Sequence, residues 1–251
     1  MKKAQIAAQL YTLRDFLKTP EDIAKTLKKV KAIGYSAVQI SGMGPIAEGE
    51  LVKMLDGEGL VCCATHEPGK TIVENTDAVI ERLRKLNCQY TAYPYPHQVP
   101  TSYAEAAALA GVMDVAAKKM AAAGQVLTYH NHAIEFMKFD GKTMLDIFYD
   151  NAPALQSELD TFWVQHGGAN PVSWIRKMNG RLPLLHLKEF GIVDNKITMF
   201  HIGGGNLEWK EIIAAGDAAG VKWFIVEQDV CLIDPFDSLK LSYDYLLTLA
   251  K

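Results

Sequence analysis

Eight short apolar runs, each followed by a longer stretch with apolar residues at helical spacing, narrow the folds open to this chain more than any other feature. The runs cover residues 6–10, 37–40, 60–65, 89–93, 125–129, 155–159, 182–187 and 223–226. They are nearly continuous in apolar character rather than alternating, as expected of strands buried on both faces of a parallel sheet. The segments between them carry helix signals. Thr19-Pro20, Asn170-Pro171 and Asp234-Pro235 pair an N-cap with a first-turn proline, and Gly34, Gly59, Gly124 and Gly220 close helical patterns. Helices are expected over 20–33, 46–58, 71–86, 104–123, 143–149, 171–178, 207–219 and 235–249.

A strand–helix beat that recurs about every 25–35 residues favours a closed (β/α)8 TIM barrel, an α/β fold, over an open doubly wound sheet. No G-x-G-x-x-G follows the first strand, which counts against a dinucleotide fold. No linker or low-complexity segment divides the chain, so residues 1–251 are expected to form a single domain. That length is ordinary for one closed barrel.

Barrel chemistry sits at the carboxyl ends of the strands. The polar residues found there are Gln9, Tyr11 and Arg14 after the first strand, Gln39 after the second, His66 and Glu67 after the third, and Tyr93 and Tyr95 after the fourth. The last four runs end in His130-Asn-His132, Glu158-Leu-Asp160, His186-Leu-Lys188-Glu189 and Glu227-Gln-Asp229. Residues i and i+2 of a strand share a face, so His130 and His132 can enter one cavity. Four consecutive strands delivering imidazole or carboxylate at one phase predict a divalent-metal site. A nitrogen and oxygen set without thiolate suits Mn, Co, Fe, Zn or Mg.

Six stretches, Gln9-Leu-Tyr-Thr-Leu-Arg14, Gly34-Tyr-Ser-Ala-Val38, Tyr129-His-Asn-His132, Glu158-Leu-Asp-Thr-Phe-Trp163, Leu185-His-Leu-Lys-Glu189 and Phe224-Ile-Val-Glu-Gln-Asp229, come in the order in which they resemble the sugar phosphate isomerase/epimerase family, whose barrel is xylose-isomerase-like. The resemblance runs over essentially the whole chain. It implies a metal held by Glu, Asp, His and Glu from strands five to eight, of which Asp160, His186 and Glu227 match the last three. His130 stands where many epimerases carry the first Glu. That residue serves them as ligand and as one of two opposed bases, so His130 can ligate but weakens a two-base epimerisation. Glu135 reads either as a displaced ligand or as a surface or supporting carboxylate, and Gln39 as a substrate hydrogen-bonder.

The reaction implied is proton removal from carbon next to a carbonyl of a ketose or keto-sugar, that is, a metal-dependent sugar isomerase or epimerase. His132 is the expected base, being neutral near its ordinary pKa and free of ligand duty, with Glu227 next in line. Lys188 would hold a developing oxyanion or a leaving oxygen, or simply pair with Glu189 or Asp160. Gln9, Tyr11, Arg14, His66 and Trp163 would line the sugar pocket. Gly203–Gly205 lies after the seventh strand, where barrels often bind phosphate; a turn with Asn206 capping the next helix reads the same residues more simply. Other reactions fit these residues: elimination or hydration of a keto-sugar, including cleavage of 3-keto-glycosides. A sugar-binding relative that has lost its metal is the non-catalytic alternative.

Composition removes other classes. A net charge of −3 with Lys and Arg dispersed gives no footprint for nucleic acid, and seven histidines are too few for the multi-zinc cluster of an endonuclease on this barrel. No run is apolar enough to span a membrane and no secretory signal is expected. The four cysteines lack paired metal spacing, and adjacent Cys62 and Cys63 read as buried thiols in a reducing cytoplasm. The resemblance also makes a homo-oligomer the expected assembly.

Overall fold

In the computed structural model, which describes residues 1–251, the eight apolar runs become β1 (Ile6–Gln9), β2 (Ala37–Ile40), β3 (Val61–His66), β4 (Tyr90–Tyr93), β5 (Val126–His130), β6 (Gln156–Asp160), β7 (Leu184–Leu187) and β8 (Trp223–Val226). Each pairs in parallel with its neighbours in chain order, and β8 returns to β1 through Ile6↔Phe224 to Ala8↔Val226, closing the barrel. The expected fold is the observed one.

Helices wrap the outside, including Pro20–Ile33, Glu48–Glu58, Tyr103–Ala122, Trp209–Ala219 and Pro235–Leu249. Thr19, Ser102 and Asp234 each accept a backbone N–H of the first turn that has no partner within the helix. Their apolar faces and the outer faces of the strands make a core cluster of 60 buried residues. Inside the barrel a separate small cluster, Ala7, Ala37, Cys63, Ala64, Leu184 and Ile225, fills the amino-terminal end. Small residues there leave the upper half of the barrel to larger polar side chains. The last helix is tied to the first turn of chain by Tyr35 Oη donating to Leu239 O and Tyr243 Oη to Gly34 O. A side chain at Gly34 would meet the Tyr243 ring at 2.5 Å, at a φ of 125°.

Several elements depart from the expected spans. The single helix expected over 71–86 is two, Gly69–Glu74 and Thr76–Lys85, because Asn75 leaves helical geometry (φ −140°, ψ 56°). A short helix, Thr161–His166, follows β6 where none was expected, its first turn capped by Asp160. Residues Glu189–Val193 and Lys196–Phe200 form an antiparallel hairpin above β7. Its turn residues Asp194 and Asn195 have φ of 48° and 63°, the type I′ pattern that suits strand twist. The helix after the glycine run starts at Trp209 with Glu208 before it, so Asn206 is not its cap; Asn206 N donates to Phe190 O. No helix is long and apolar enough to cross a membrane. Cys62, Cys63 and Cys88 are buried free thiols.

Candidate metal centre

Register sets the geometry of the site. β5 and β6 pair His130 with Glu158, and β6 and β7 pair Asp160 with His186. Alternation then sends Glu158 and Asp160 to the same, inner face. The result is two overlapping sets of donor atoms, each within 4.8 Å of one another: His130, Asp160, His186 and Glu227, and His66, His130, Glu158 and His186. The first set comprises the four residues singled out as ligands from the sequence and the resemblance.

Glu158 was named at a strand end without a role. Its carboxylate is fully buried and is the hub of the inner site. It accepts from Gln39 Nε2 at 2.8 Å and lies 2.6 Å from His66 Nε2 and 3.0 Å from His186 Nε2. Although burial opposes ionisation, the imidazoles of His186 and His66 hold it well below the usual carboxylate range. Gln39 and His66, expected to face substrate, are turned inward by these bonds; Gln39 is fully buried, while His66 still borders the cavity.

His186 stands between the two sets. Its Nε2 meets only acceptors, Gln39 Oε1 at 2.6 Å and Glu158 Oε1 at 3.0 Å, and so carries the proton. Its Nδ1 faces Glu227 Oε2 at 2.9 Å and Asp160 Oδ2 at 3.8 Å. Burial opposes the charged ring, yet Glu158 and Glu227 push it up to about 10. A cation taking the Nδ1 lone pair would displace that second proton, since ligation requires the neutral ring.

Two buried atoms test whether a cation fits here. Asp160 Oδ1 accepts from Trp163 N, but Oδ2 makes no hydrogen bond and has only the Lys188 ammonium at 3.4 Å and His186 Nδ1 at 3.8 Å, and His130 Nδ1 makes none and has only Glu158 Oε1 at 3.5 Å. Burial pushes the Asp160 carboxyl up to about 6 despite Lys188 and His186 nearby. Buried polar atoms are rarely left unpaired in proteins, and two imidazoles with two carboxylates are a donor set for a borderline-to-hard divalent ion. The residues therefore fit a divalent metal.

Lys188 Nζ lies 2.9 Å from Glu227 Oε2, 3.4 Å from Asp160 Oδ2, and 3.1 and 3.0 Å from the two Asp229 oxygens. Burial works against the ammonium, but these carboxylates outweigh it and raise its pKa above the ordinary lysine range. Asp229 gives Lys188 a carboxylate outside the ligand quartet. The alternative pairing with Glu189 is absent, because Glu189 turns away from the barrel axis. Glu135 is not a displaced ligand: it is buried beneath the loop, accepting from Tyr129 Oη and His132 N at 2.7 Å each.

Above the quartet is a cavity of about 460 Å3 bordered by His66, His130, His132, Lys188, Glu227 and Asp229, with Tyr11, Ser41, Glu67 and Tyr95 nearer the mouth. The His132 ring packs against those of His130, Tyr95 and Trp163, with centroids 4.9, 5.3 and 5.1 Å away, and its Nδ1 has no partner in the protein. Of the residues expected to line a sugar pocket, Tyr11 and His66 border this cavity. Gln9 is fully buried at the top of β1, where it accepts from Tyr11 N. Arg14 reaches sideways to the carbonyls of Tyr11 and Asp229. Trp163 stands behind His132 and Lys188, so both Arg14 and Trp163 support the wall instead of forming it. Ser41 was not anticipated; it follows β2 without an apolar context to mark it.

Eight parallel strands with a polar cluster at their carboxyl ends define a (β/α)8 barrel. No family model matches the chain, and no curated protein matches it by sequence. Among solved structures it is similar to two sugar phosphate isomerase/epimerases of Parabacteroides distasonis ATCC 8503. One is 20% identical with a TM-score of 0.83, covering 98% of this chain and 94% of the other; the second is 24% identical with a TM-score of 0.82, covering 96% and 97%. An L-ribulose 3-epimerase is 17% identical (TM-score 0.75, 98% and 94% covered). A probable 3-DHS dehydratase from Bacillus anthracis is 13% identical (TM-score 0.76, 98% and 99% covered). At these identities the likeness is one of fold, and fold alone does not assign chemistry.

Proposed function

We propose that the protein is a divalent-metal-dependent isomerase of a ketose or keto-sugar that works by removing a proton from carbon next to a carbonyl. One juxtaposition carries the reading: an unpartnered imidazole, His132, borders a cavity directly beside a four-donor cation site. The isomerase and epimerase neighbours of the same fold support it. When bound in the quartet, a divalent ion would supply Lewis acidity toward the substrate carbonyl, worth several kcal/mol of charge stabilisation.

His130, Asp160, His186 and Glu227 would hold that ion. His132 takes the proton on its imidazole. Burial, with Lys188 second, lowers its pKa to about 3, so the ring is neutral at any working pH. A base this weak removes a carbon-bound proton only beside a strongly polarised carbonyl. Lys188 keeps its charge and faces the cavity floor, where it hydrogen-bonds a developing oxyanion. Glu158 is consumed by its bonds to His66, His186 and Gln39, and His130 stands where a two-base epimerase would carry its first Glu, which leaves His132 as base with Glu227 next in line. A one-base proton shift is therefore favoured over epimerisation.

The same single base serves elimination, with the proton taken by His132 returned to the departing oxygen beside the Lys188 ammonium, and the dehydratase of like fold gives that second reading weight. Incubation with divalent ions in D2O and a keto-sugar panel separates them. Deuterium wash-in with aldose–ketose interconversion is the expected result, release of an aglycone or water indicates the lyase, and no exchange with any ion overturns the proposal. Asp160→Ala and His186→Ala should abolish metal binding by calorimetry. His132→Ala should retain the metal and lose about 100-fold or more in turnover; a near wild-type rate would assign the base elsewhere, to Glu227 first.

A further inference from the structure

The loop after β7, a usual place for phosphate in barrels of this kind, already holds an anion. The Glu189 carboxylate accepts from Phe190 N at 3.0 Å, Gly203 N at 3.0 Å, Leu207 N at 3.1 Å and, closest of all, Trp209 Nε1. Converging backbone N–H groups in a glycine turn form an anion cradle, and here the protein's own side chain fills it. A Cβ at Gly205 would fall 2.7 Å from Glu189 Cγ, so the glycine admits the carboxylate and leaves no further space. After β8 the amino end of the Pro235–Leu249 helix is occupied likewise, by Asp234 accepting from Phe236 N and Asp237 N.

The cavity offers no substitute. Its wall carries the carboxylates of Glu67, Glu227 and Asp229, and its one cationic side chain, Lys188, is 1% exposed and paired with three carboxylates. Arg82 is spent on Glu67 and Glu48, at 2.9 and 2.6 Å. Arg14 lies over the Tyr11 ring, outside the wall. A divalent ion in the quartet would have its charge balanced by the Asp160 and Glu227 carboxylates, so a phosphate dianion entering this space would still face Glu67 and Asp229 with no unpaired cationic side chain to offset its desolvation. Hydroxyl groups would meet acceptors, since carboxylates take O–H donors well, and the rings of Tyr11 and Tyr95 offer faces to C–H groups.

We infer that the substrate is a keto-sugar without phosphate or carboxylate, recognised through hydroxyls by the Glu67 and Asp229 carboxylates of the cavity wall. This rests on the keto-sugar reading above. It separates the protein from the sugar phosphates in the names of two structural neighbours and sides with the L-ribulose in the name of a third.

The test is calorimetric titration of the Mn2+-loaded protein with inorganic phosphate, fructose 6-phosphate and fructose, followed by deuterium exchange on matched pairs of free and phosphorylated ketoses. The inference predicts no saturable binding of inorganic phosphate or fructose 6-phosphate below about 10 mM, and exchange on a free ketose at least 100-fold faster than on its phosphate ester. Phosphate or fructose 6-phosphate binding with a Kd under 1 mM, or faster exchange on an ester, would overturn it. If no ketose of either kind exchanges, the isomerase reading fails while the two titrations still decide the present question. In Glu189→Ala the cradle loses its internal anion, and phosphate should raise the Tm of that variant and not of the wild type. Should the variant fail to fold, the wild-type titrations stand.

Discussion

At the scale of single residues, Glu158 decides what the histidines can do. Donating one ring nitrogen to a carboxylate fixes the tautomer of a ligand imidazole and raises its basicity, and loss of such a partner typically costs 10–100-fold in metal affinity. Glu158→Gln should therefore weaken Mn2+ or Co2+ binding by about that factor in a chelator competition, with far-UV circular dichroism unchanged; equal affinity would show that the carboxylate is bystander to the metal. Glu135 makes a different kind of prediction. Burial pushes its carboxyl up to about 7 from 4.5, so the folded state binds the proton more tightly than the unfolded. Its contribution to stability is complete below pH 4.5 and is lost as pH rises through 7. At about 1.4 kcal/mol per pH unit across that gap, the loss is roughly 3 kcal/mol. The unfolding free energy of wild type relative to Glu135→Gln, from urea titrations at pH 4.5 and 7.5, should fall by that order; a constant difference would contradict the shift. The four ligand candidates were legible in sequence because each ends an apolar run. The bonds of Gln39 and Glu158 were not, since they join residues 119 apart in the chain and no local pattern marks such a pair.

At the scale of elements, the strands matter through phase. Ending β5 at His130 and β6 at Asp160, each one residue beyond its expected limit, puts their last side chains on the inner face. The strand cores were readable from continuous apolar character; the ends were not, because polar residues there look like loop. Helix caps read well at Thr19, Asn170 and Asp234, where a side-chain acceptor precedes proline. The same logic misplaced the start of the helix at Trp209, because the N–H groups of the glycine turn were satisfied by a residue fourteen positions or more upstream. Glu189 binds that turn, the hairpin base and Trp209 into one unit. Removing it in Glu189→Ala leaves several buried donors without an acceptor, at about 1–3 kcal/mol each. A drop in Tm of many degrees is expected by scanning calorimetry, and a shift of only a degree or two would show that water replaces the carboxylate at little cost.

At the scale of the whole molecule, closure of the barrel turns a run of strand ends into a ring. Ligand candidates from β5 to β8 are neighbours there, and β2 and β3 contribute Gln39 and His66 from the opposite side. The closed (β/α)8 architecture followed from the eightfold beat and the absence of a dinucleotide motif. The charge of the cavity did not, because it depends on which lysines and arginines are paired. The most direct test is anomalous diffraction from crystals grown with Mn2+. One peak about 2.0–2.2 Å from donor atoms of His130, Asp160, His186 and Glu227 is the predicted result. Absence of a peak within reach of those four side chains, at an Mn2+ concentration that saturates any calorimetric binding, would contradict it.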